Sequence, residues 1–217
     1  MKHDRILSDN YPTPEGLARW CVRHALDEYQ RLNDAEPDLV FEPGCGDAAP
    51  FARAAREFVD GVRAVGFELR KGNAEIAEMP HGSGVEVVAG MDYLDPPSEV
   101  VEAFSGRVDV IATNPPFNYA EPFVRRSIEM LSDRGVLTML LRVGFLSSLK
   151  RRSLFEELPP AIVTILQKRP SFAFGATDSQ EYAVMTWFGR RVEFGETVLR
   201  WLDNSKIPGG ASHPKKS

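Results

Sequence analysis

The sequence alternates short apolar runs with longer segments in which apolar residues recur every three or four positions. Short runs rich in valine, isoleucine, leucine and phenylalanine predict buried β-strands, and the longer segments predict helices. The predicted strands are 38–42, 62–68, 85–89, 108–113, 136–141, 161–167 and 182–188. The predicted helices are 14–32, 51–59, 71–79, 120–131 and 146–158. Thr13 is the predicted N-cap of the first helix, with Pro14 at its first position.

The predicted strands are apolar throughout rather than alternating, which is typical of strands buried on both faces of a sheet. Because helices separate most of them, the pattern predicts an α/β fold with a mainly parallel, seven-stranded sheet and helices on both faces. A loop without a helix joins 161–167 to 182–188, so the final strand is expected to be antiparallel. We expect one domain over residues 1–203 and a flexible C-terminal tail over 204–217.

Composition excludes several classes of protein. Two cysteines, Cys21 and Cys45, are too few for a disulfide framework, and they do not combine with histidines at the spacing of a zinc site, so we expect no metal site. No apolar stretch has the length of a signal peptide or a membrane span, which predicts a cytoplasmic protein without a membrane partner.

The net charge of −5 averages two unlike halves of the chain. Residues 1–110 contain 11 lysines and arginines against 21 acids, whereas residues 111–217 contain 15 against 10. This asymmetry favours an anionic partner for the second half, although solvated surfaces of unequal composition would also produce it.

A glycine loop follows the first predicted strand, at Glu42-Pro43-Gly44-Cys45-Gly46. Glycines there allow a close approach of the backbone to a ligand, although a glycine pair after a strand is often only a tight turn. The spacing Gly44-x-Gly46-x-x-Ala49 also matches the dinucleotide fingerprint with alanine in third place.

Acids also end the next two predicted strands. Glu68, followed by Leu69, lies about 20 residues beyond the loop, where an acid accepts hydrogen bonds from ribose hydroxyls. Asp92, followed by Tyr93, comes after the third strand and is placed to accept a bond from an adenine amino group. Together these positions favour an adenosine-containing cofactor.

The fourth predicted strand ends in Asn114-Pro115-Pro116-Phe117. Two prolines fix the backbone and remove two N–H donors, so carbonyl oxygens are presented to a ligand. Asn114 adds a side-chain acceptor and Phe117 a flat apolar face. This combination suits a planar group with an exocyclic amine, and chance occurrence of the tetrapeptide is rare.

These residues resemble those of class I S-adenosylmethionine-dependent methyltransferases, specifically the gamma-type DNA adenine-N6 branch of phage or prophage type. The resemblance spans residues 10–190 and implies a Rossmann-like methyltransferase fold. It implies that the cofactor S-adenosyl-L-methionine is bound by Tyr11, Thr13, Pro14, Glu42, Pro43, Gly44, Cys45, Gly46, Glu68, Leu69, Asp92, Tyr93 and Asn114. It implies that Asn114, Pro115, Pro116 and Phe117 are the catalytic residues.

The sequence departs from this family in two ways. Asp47-Ala48-Ala49-Pro50 stands where many relatives have another glycine. Sequence-reading relatives also carry a target-recognition region of about a hundred residues, and no segment of that size remains here once the core is assigned.

The implied reaction is direct in-line methyl transfer to an exocyclic nucleobase amine, with adenine N6 in DNA as the favoured target and the base flipped out of the duplex. We therefore expect a nucleic-acid partner, DNA in preference to RNA. Arg142, Lys150, Arg151, Arg152, Lys168 and Arg169 are candidate phosphate contacts, or else a solvated basic surface. Oligomeric state is left open.

An RNA base amino-methyltransferase is the leading alternative. A protein glutamine methyltransferase and a non-catalytic S-adenosylmethionine-binding module are more remote, and an NAD-dependent oxidoreductase is the least favoured.

Overall fold

The computed structural model describes residues 12–70, 84–172 and 179–209. Eight strands form one sheet in these residues: β1 (Leu39–Pro43), β2 (Arg63–Glu68), β3 (Val85–Ala89), β4 (Val108–Thr113), β5 (Leu131–Arg142), β6 (Ile162–Leu166), β7 (Tyr182–Phe188) and β8 (Val198–Leu202). The described helices are α1 (Glu15–Asn33), α2 (Pro50–Phe58), α3 (Ser98–Phe104), α4 (Ala120–Met130) and α5 (Arg152–Glu157). The predicted helix at 71–79 lies outside the described residues.

The strand order is β3-β2-β1-β4-β5-β7-β6-β8. All neighbours pair in parallel except β7, which runs antiparallel to both β5 and β6. The order reverses between β1 and β4, and ligands of open parallel sheets bind beyond the carboxyl ends of the strands at such a point. The predicted α/β fold with a mainly parallel sheet is confirmed. Its antiparallel strand is β7, which corresponds to the predicted strand 182–188.

Residues on alternate sides of the central strands enter two separate cores. Val40, Val110 and Val184 pack with α1 and α2 on one face. Phe41, Ile111 and Met185 pack with α3, α4 and α5 on the other. Burial on both faces explains why these strands read as continuous apolar runs.

Two local predictions were wrong. The predicted helix at 146–158 is broken into 3₁₀ turns at Val143–Leu146 and Leu149–Arg151, and only the six residues of α5 are α-helical. Ser148 has extended backbone angles (φ −143°, ψ 121°), which interrupt the helix. Serine side chains form hydrogen bonds with nearby backbone groups in non-helical conformations, and such bonds compete with those of a helix. Pro14 and not Thr13 is the N-cap residue of α1, and proline has no side-chain acceptor with which to cap it. The Thr13 hydroxyl instead accepts a hydrogen bond from Asn114 Nδ2.

The sheet has an eighth strand where seven were predicted. β8 pairs in parallel with β6, but its side chains are mostly exposed, so no buried apolar run marked it. Asn204, the first residue of the predicted tail, is fully buried and exchanges hydrogen bonds with the Lys168 backbone. The packed chain therefore extends past the predicted boundary at residue 203. None of the described helices has the length and apolar character needed to cross a membrane.

Candidate active site

A cavity of about 420 Å³ opens at the carboxyl ends of β1, β2 and β4, beside the point where the strand order reverses. It brings together most of the predicted cofactor residues: Thr13, Glu42, Gly44, Cys45, Gly46, Glu68, Leu69, Asp92, Tyr93 and Asn114. Pro14 and Pro43 are buried nearby but do not line it, and Tyr11 lies outside the described residues. Of the other tetrapeptide residues, Pro116 lines the cavity, whereas Pro115 and Phe117 do not.

The glycine loop wraps the end of β1 in a conformation that glycine permits. Gly44 and Gly46 have φ angles of 66° and 62°, in the left-handed region. Between them, the Cys45 amide donates to the Phe67 carbonyl at 2.9 Å, which joins the loop to β2. Ala49, at the third fingerprint position, also adopts a positive φ of 40°, although left-handed backbone costs a non-glycine residue about 1 kcal/mol. A glycine at this position would adopt the conformation without that cost.

Glu42 ends β1 as a fully buried carboxyl group on the cavity wall. Its Oε2 accepts from the Ala52 amide at 2.7 Å, in the first turn of α2. Burial raises the pKa of Glu42 well above its ordinary value, and the backbone N–H groups of Ala52 and Phe51 oppose that rise. The group is held by the helix that follows the loop, so loop and helix are fixed together.

Glu68 ends β2 with its carboxylate already oriented by protein donors. Its Oε2 accepts from the Gly46 amide at 2.9 Å. Its Oε1 accepts from both the backbone N and the side-chain Nε of Arg70, each at 2.9 Å. Arg70 also contacts Asp47 in the glycine loop, with Nη2 2.8 Å from Oδ1. The carboxylate therefore lies at a fixed point on the cavity wall.

Asp92 and Tyr93 follow β3 and have different environments. Asp92 accepts from the Leu94 amide at 3.0 Å, which closes a local turn and directs the backbone along the cavity. The Tyr93 ring packs in the core against Phe41 and Phe123, and its hydroxyl bonds Ser127 Oγ at 2.8 Å. Burial raises the pKa of Tyr93 above its ordinary value.

Asn114 connects β4 to the N-terminal segment. Its Nδ2 donates to Thr13 Oγ1 at 3.0 Å, which fixes the direction of the amide. The preceding residue, Thr113, donates from its hydroxyl to the Pro43 carbonyl at 2.6 Å and ties β4 to the end of β1. The amide that begins the tetrapeptide is thus positioned by two independent segments of the chain.

Phe117 lies in a packed cluster rather than on the cavity surface. It is 9% exposed, and its ring contacts Tyr182 and Phe172 at centroid distances of 5.6 and 6.4 Å. The guanidinium carbon of Arg142 lies 4.5 Å from its ring centroid, within the range of a cation–π contact. Phe117 therefore has its contacts on the β5–β7 side of the site.

The predicted phosphate contacts differ in how they are held. Arg151 packs over Phe145, Arg152 pairs with Glu156, and Arg169 pairs with Glu181. Lys150 and Lys168 are exposed, and within the described part of the chain neither forms an ion pair with an acid.

Solved structures match this chain at the level of fold. The chain matches a class I S-adenosylmethionine-dependent methyltransferase from Listeria monocytogenes with a TM-score of 0.68 and 14% identity, over 90% of this chain and 67% of that one. The fold is that of the class I S-adenosylmethionine-dependent methyltransferases. No family model matches the sequence, and neither does any curated protein.

Two further solved structures also match this chain at the level of fold. A modification subunit of a type I restriction enzyme from Vibrio vulnificus matches with a TM-score of 0.65 and 18% identity, over 88% of this chain. This chain spans only 46% of that subunit. An RNA methyltransferase from Pyrococcus horikoshii matches with a TM-score of 0.53 and 19% identity, over 84% of this chain and 88% of that one.

The residues around the cavity fit the cofactor of this methyltransferase fold. Left-handed glycines leave the loop without Cβ atoms where a ligand approaches, and two buried carboxyl groups from β1 and β2 face the same space. A ligand that carries hydroxyl and amino donors matches such a wall of acceptors.

Sequence reasoning missed several residues of the site. Asp47, Arg70, Tyr119 and Phe123 line the cavity, and none was singled out. Arg70 had a signal, because it lies two residues after the acid assigned to ribose. Phe123 had none, since its contribution depends on how α4 packs.

Proposed function

We propose that this protein transfers a methyl group from S-adenosyl-L-methionine to an exocyclic amino group of a nucleobase, with adenine N6 in DNA as the target. The observation that carries the proposal is the Asn114 amide, which lies on the cavity wall and is fixed by Thr13. An Asn-Pro-Pro-aromatic sequence at the carboxyl end of β4 supplies acceptors for an amine directly beside the proposed cofactor site.

The cofactor side of the site binds by hydrogen bonds from fixed acceptors. Glu68 accepts hydrogen bonds from the ribose hydroxyls, and Asp92 accepts a hydrogen bond from the adenine amino group. The glycine loop, with Glu42 behind it, receives the methionine portion. When bound, S-adenosyl-L-methionine supplies an electrophilic methyl group on a sulfonium sulfur.

The target amine is a poor nucleophile because its lone pair is delocalised into the ring. Asn114 Oδ1 and the Pro115 carbonyl accept its two N–H groups, which favours a pyramidal nitrogen and returns electron density to it. During transfer of the methyl group, the positive charge on nitrogen would lie between these two acceptors, which would stabilise it. A preorganised group of this kind is worth about 3 kcal/mol of transition-state stabilisation. The nitrogen then loses one proton to solvent.

Nucleic acid is proposed as the partner because exposed basic residues follow β5 and β6. Lys150 and Lys168 lie in the two connections that leave the carboxyl ends of these strands. An enzyme cannot act on an amine of a base that is stacked and paired inside a duplex, so we infer that a duplex target is flipped out. Phe117 is proposed to contact that base, which requires movement of the cluster formed by Phe117, Tyr182, Phe172 and Arg142.

A second candidate is methylation of an RNA base amine. The fold likeness to an RNA methyltransferase over nearly the full length of both chains favours it. The proposed chemistry at Asn114 is the same, and only the macromolecule differs.

The test is transfer of a labelled methyl group to duplex DNA, single-stranded DNA, ribosomal RNA and protein, followed by mass spectrometry of the digested product. We expect N6-methyladenine in DNA. Label in an RNA base would support the second candidate, and label on glutamine would establish a protein methyltransferase. Cofactor binding without transfer to any acceptor would indicate a binding module, and hydride exchange with a nicotinamide cofactor would contradict the proposal altogether.

A further inference from the structure

Arg70 lies between two acids on the cavity wall and binds both. Its Nε donates to Glu68 Oε1 at 2.9 Å. Its two terminal nitrogens contact Asp47, with Nη2 2.8 Å from Oδ1 and Nη1 3.3 Å from Oδ2. The side chains are 20% exposed for Arg70 and 8% for Glu68, so solvent competes little for these bonds.

Glu68 has little acceptor capacity left. An ionised carboxylate offers about four lone-pair sites. Three N–H donors of the protein already occupy it: the amides of Gly46 and Arg70, and Arg70 Nε. One site remains, whereas a ribose with two hydroxyls needs two.

The two backbone donors belong to the glycine loop and the end of β2, and they cannot leave without rearranging the loop. The Arg70 side chain is different, because Asp47 holds its guanidinium at two points after Nε departs. Planar two-point contact with a carboxylate is the favoured geometry for arginine. The third donor is therefore the one that the structure allows to move.

We propose that the Arg70 side chain competes with ribose for Glu68, and that Asp47 receives the arginine when a ribose binds. The inference rests on the proposed function, since it assumes that Glu68 accepts the cofactor ribose. It makes Arg70 and Asp47 determinants of cofactor affinity with opposite effects. Arg70 weakens binding by occupying Glu68, and Asp47 strengthens it by drawing Arg70 away.

The experiment is calorimetric titration of the full chain with S-adenosylhomocysteine and with its 2′-deoxy and 3′-deoxy analogues. The proteins are wild type, Arg70→Gln, Asp47→Asn and the double variant. Arg63→Gln is the matched control, because Arg63 begins β2, the strand that Glu68 ends, and pairs with Glu86 away from the cavity. Circular dichroism melts show whether each variant is folded, and Arg70→Lys, which keeps the charge but loses the planar fork, replaces the glutamine variant if that one unfolds.

If Arg70 competes with ribose, a deoxy analogue should lose more affinity relative to S-adenosylhomocysteine in Arg70→Gln than in wild type. We expect the two losses to differ by about two- to fivefold, which corresponds to the free energy of a partly exposed ion pair. Asp47→Asn should bind S-adenosylhomocysteine more weakly than wild type, with no further effect once Arg70 is glutamine. A smaller hydroxyl effect in Arg70→Gln would overturn the inference and make Arg70 a support for Glu68. An unchanged hydroxyl effect would overturn it as well. Wild-type protein that binds no S-adenosylhomocysteine would overturn the proposed function too, so the two failures are distinguishable.

Discussion

The two sides of the cavity differ in how their polar groups are held. On the β1–β3 side, carboxyl groups of Glu42 and Glu68 are fixed by backbone amides and face open space. On the β5–β7 side, Phe117 is packed under Arg142 and against Tyr182, and most basic side chains already have partners. The first side is preorganised for a small ligand, whereas the second would have to rearrange to receive the base that we propose as the target.

Asn114 lies at the boundary between these sides and gives the sharpest test of the comparison. Asn114→Ala should reduce the rate of methyl transfer by about 10²–10³-fold, because it removes one preorganised acceptor. Binding of S-adenosylhomocysteine should change little. Single-turnover transfer and calorimetry measure the two effects. Asn118→Ala is the control, since Asn118 is an exposed asparagine of the same turn and lies off the cavity. Equal turnover in both variants would contradict the catalytic assignment.

Glu68 tests the preorganised side alone. Glu68→Ala should weaken S-adenosylhomocysteine binding by about ten- to a hundredfold, the loss expected for hydrogen bonds to a charged acceptor. Glu86→Ala provides the comparison, because Glu86 lies on the neighbouring strand and pairs with Arg63 outside the cavity. If the two variants bind equally well, the ribose role of Glu68 is wrong.

Glu42 tests how burial of a carboxyl group on the β1–β3 side affects the stability of the folded protein. Its pKa is raised in the folded protein, so between the unfolded value of 4.5 and the folded value the native state keeps a proton that the unfolded chain has lost. Wild-type stability should therefore fall as pH rises through that window, by up to about 1.4 kcal/mol per pH unit.

Glu42→Gln removes this dependence, because an amide does not titrate. Urea unfolding at several pH values should show the variant gaining on wild type as the pH rises above 4.5. Parallel curves for the two proteins would mean that Glu42 does not keep its proton in the folded state.

Thr13 links the two sides through one hydrogen bond. Thr13→Val keeps the shape of the side chain but removes the acceptor for Asn114 Nδ2. Methyl transfer should therefore slow by about fivefold, which corresponds to the free energy of an ordinary buried hydrogen bond. Thr13→Ser restores the hydroxyl and should restore the rate. An effect on cofactor affinity alone, with an unchanged rate constant at saturation, would place Thr13 on the cofactor side only.

The same contrast explains which features could be predicted from sequence. The first side depends on residues at consecutive strand ends, and parallel strands bring such ends to one edge, so Gly44, Glu68 and Asp92 could be placed together. The second side depends on packing between distant segments. Nothing in the spacing of Arg142, Tyr182 and Phe172 indicates that they surround Phe117.

Local helices follow a similar division. Periodicity located α1 and α4, which bury a full face, but it missed α3, in which Phe104 is the buried residue. The proline pair before Ser98 was a signal for the start of α3, because proline commonly precedes or begins a helix. β8 was not predicted because its apolar residues Leu199 and Trp201 are exposed, so the sequence there lacks the apolar run of a buried strand.

The smallest expected effect concerns the basic residues of the second side. They could not be distinguished from the sequence, but they differ in the structure in whether an acid pairs with them. Lys150 and Lys168 are exposed without acidic partners in the described residues, whereas Arg152 is paired with Glu156. If phosphates bind here, Lys150→Ala and Lys168→Ala should each lower the salt dependence of DNA binding by about one unit of log K against log salt. Arg152→Ala should lower it less, because releasing Glu156 offsets part of the lost contact. Fluorescence anisotropy over a range of salt concentrations measures these slopes, and equal slopes in all three variants would move the nucleic acid to another surface.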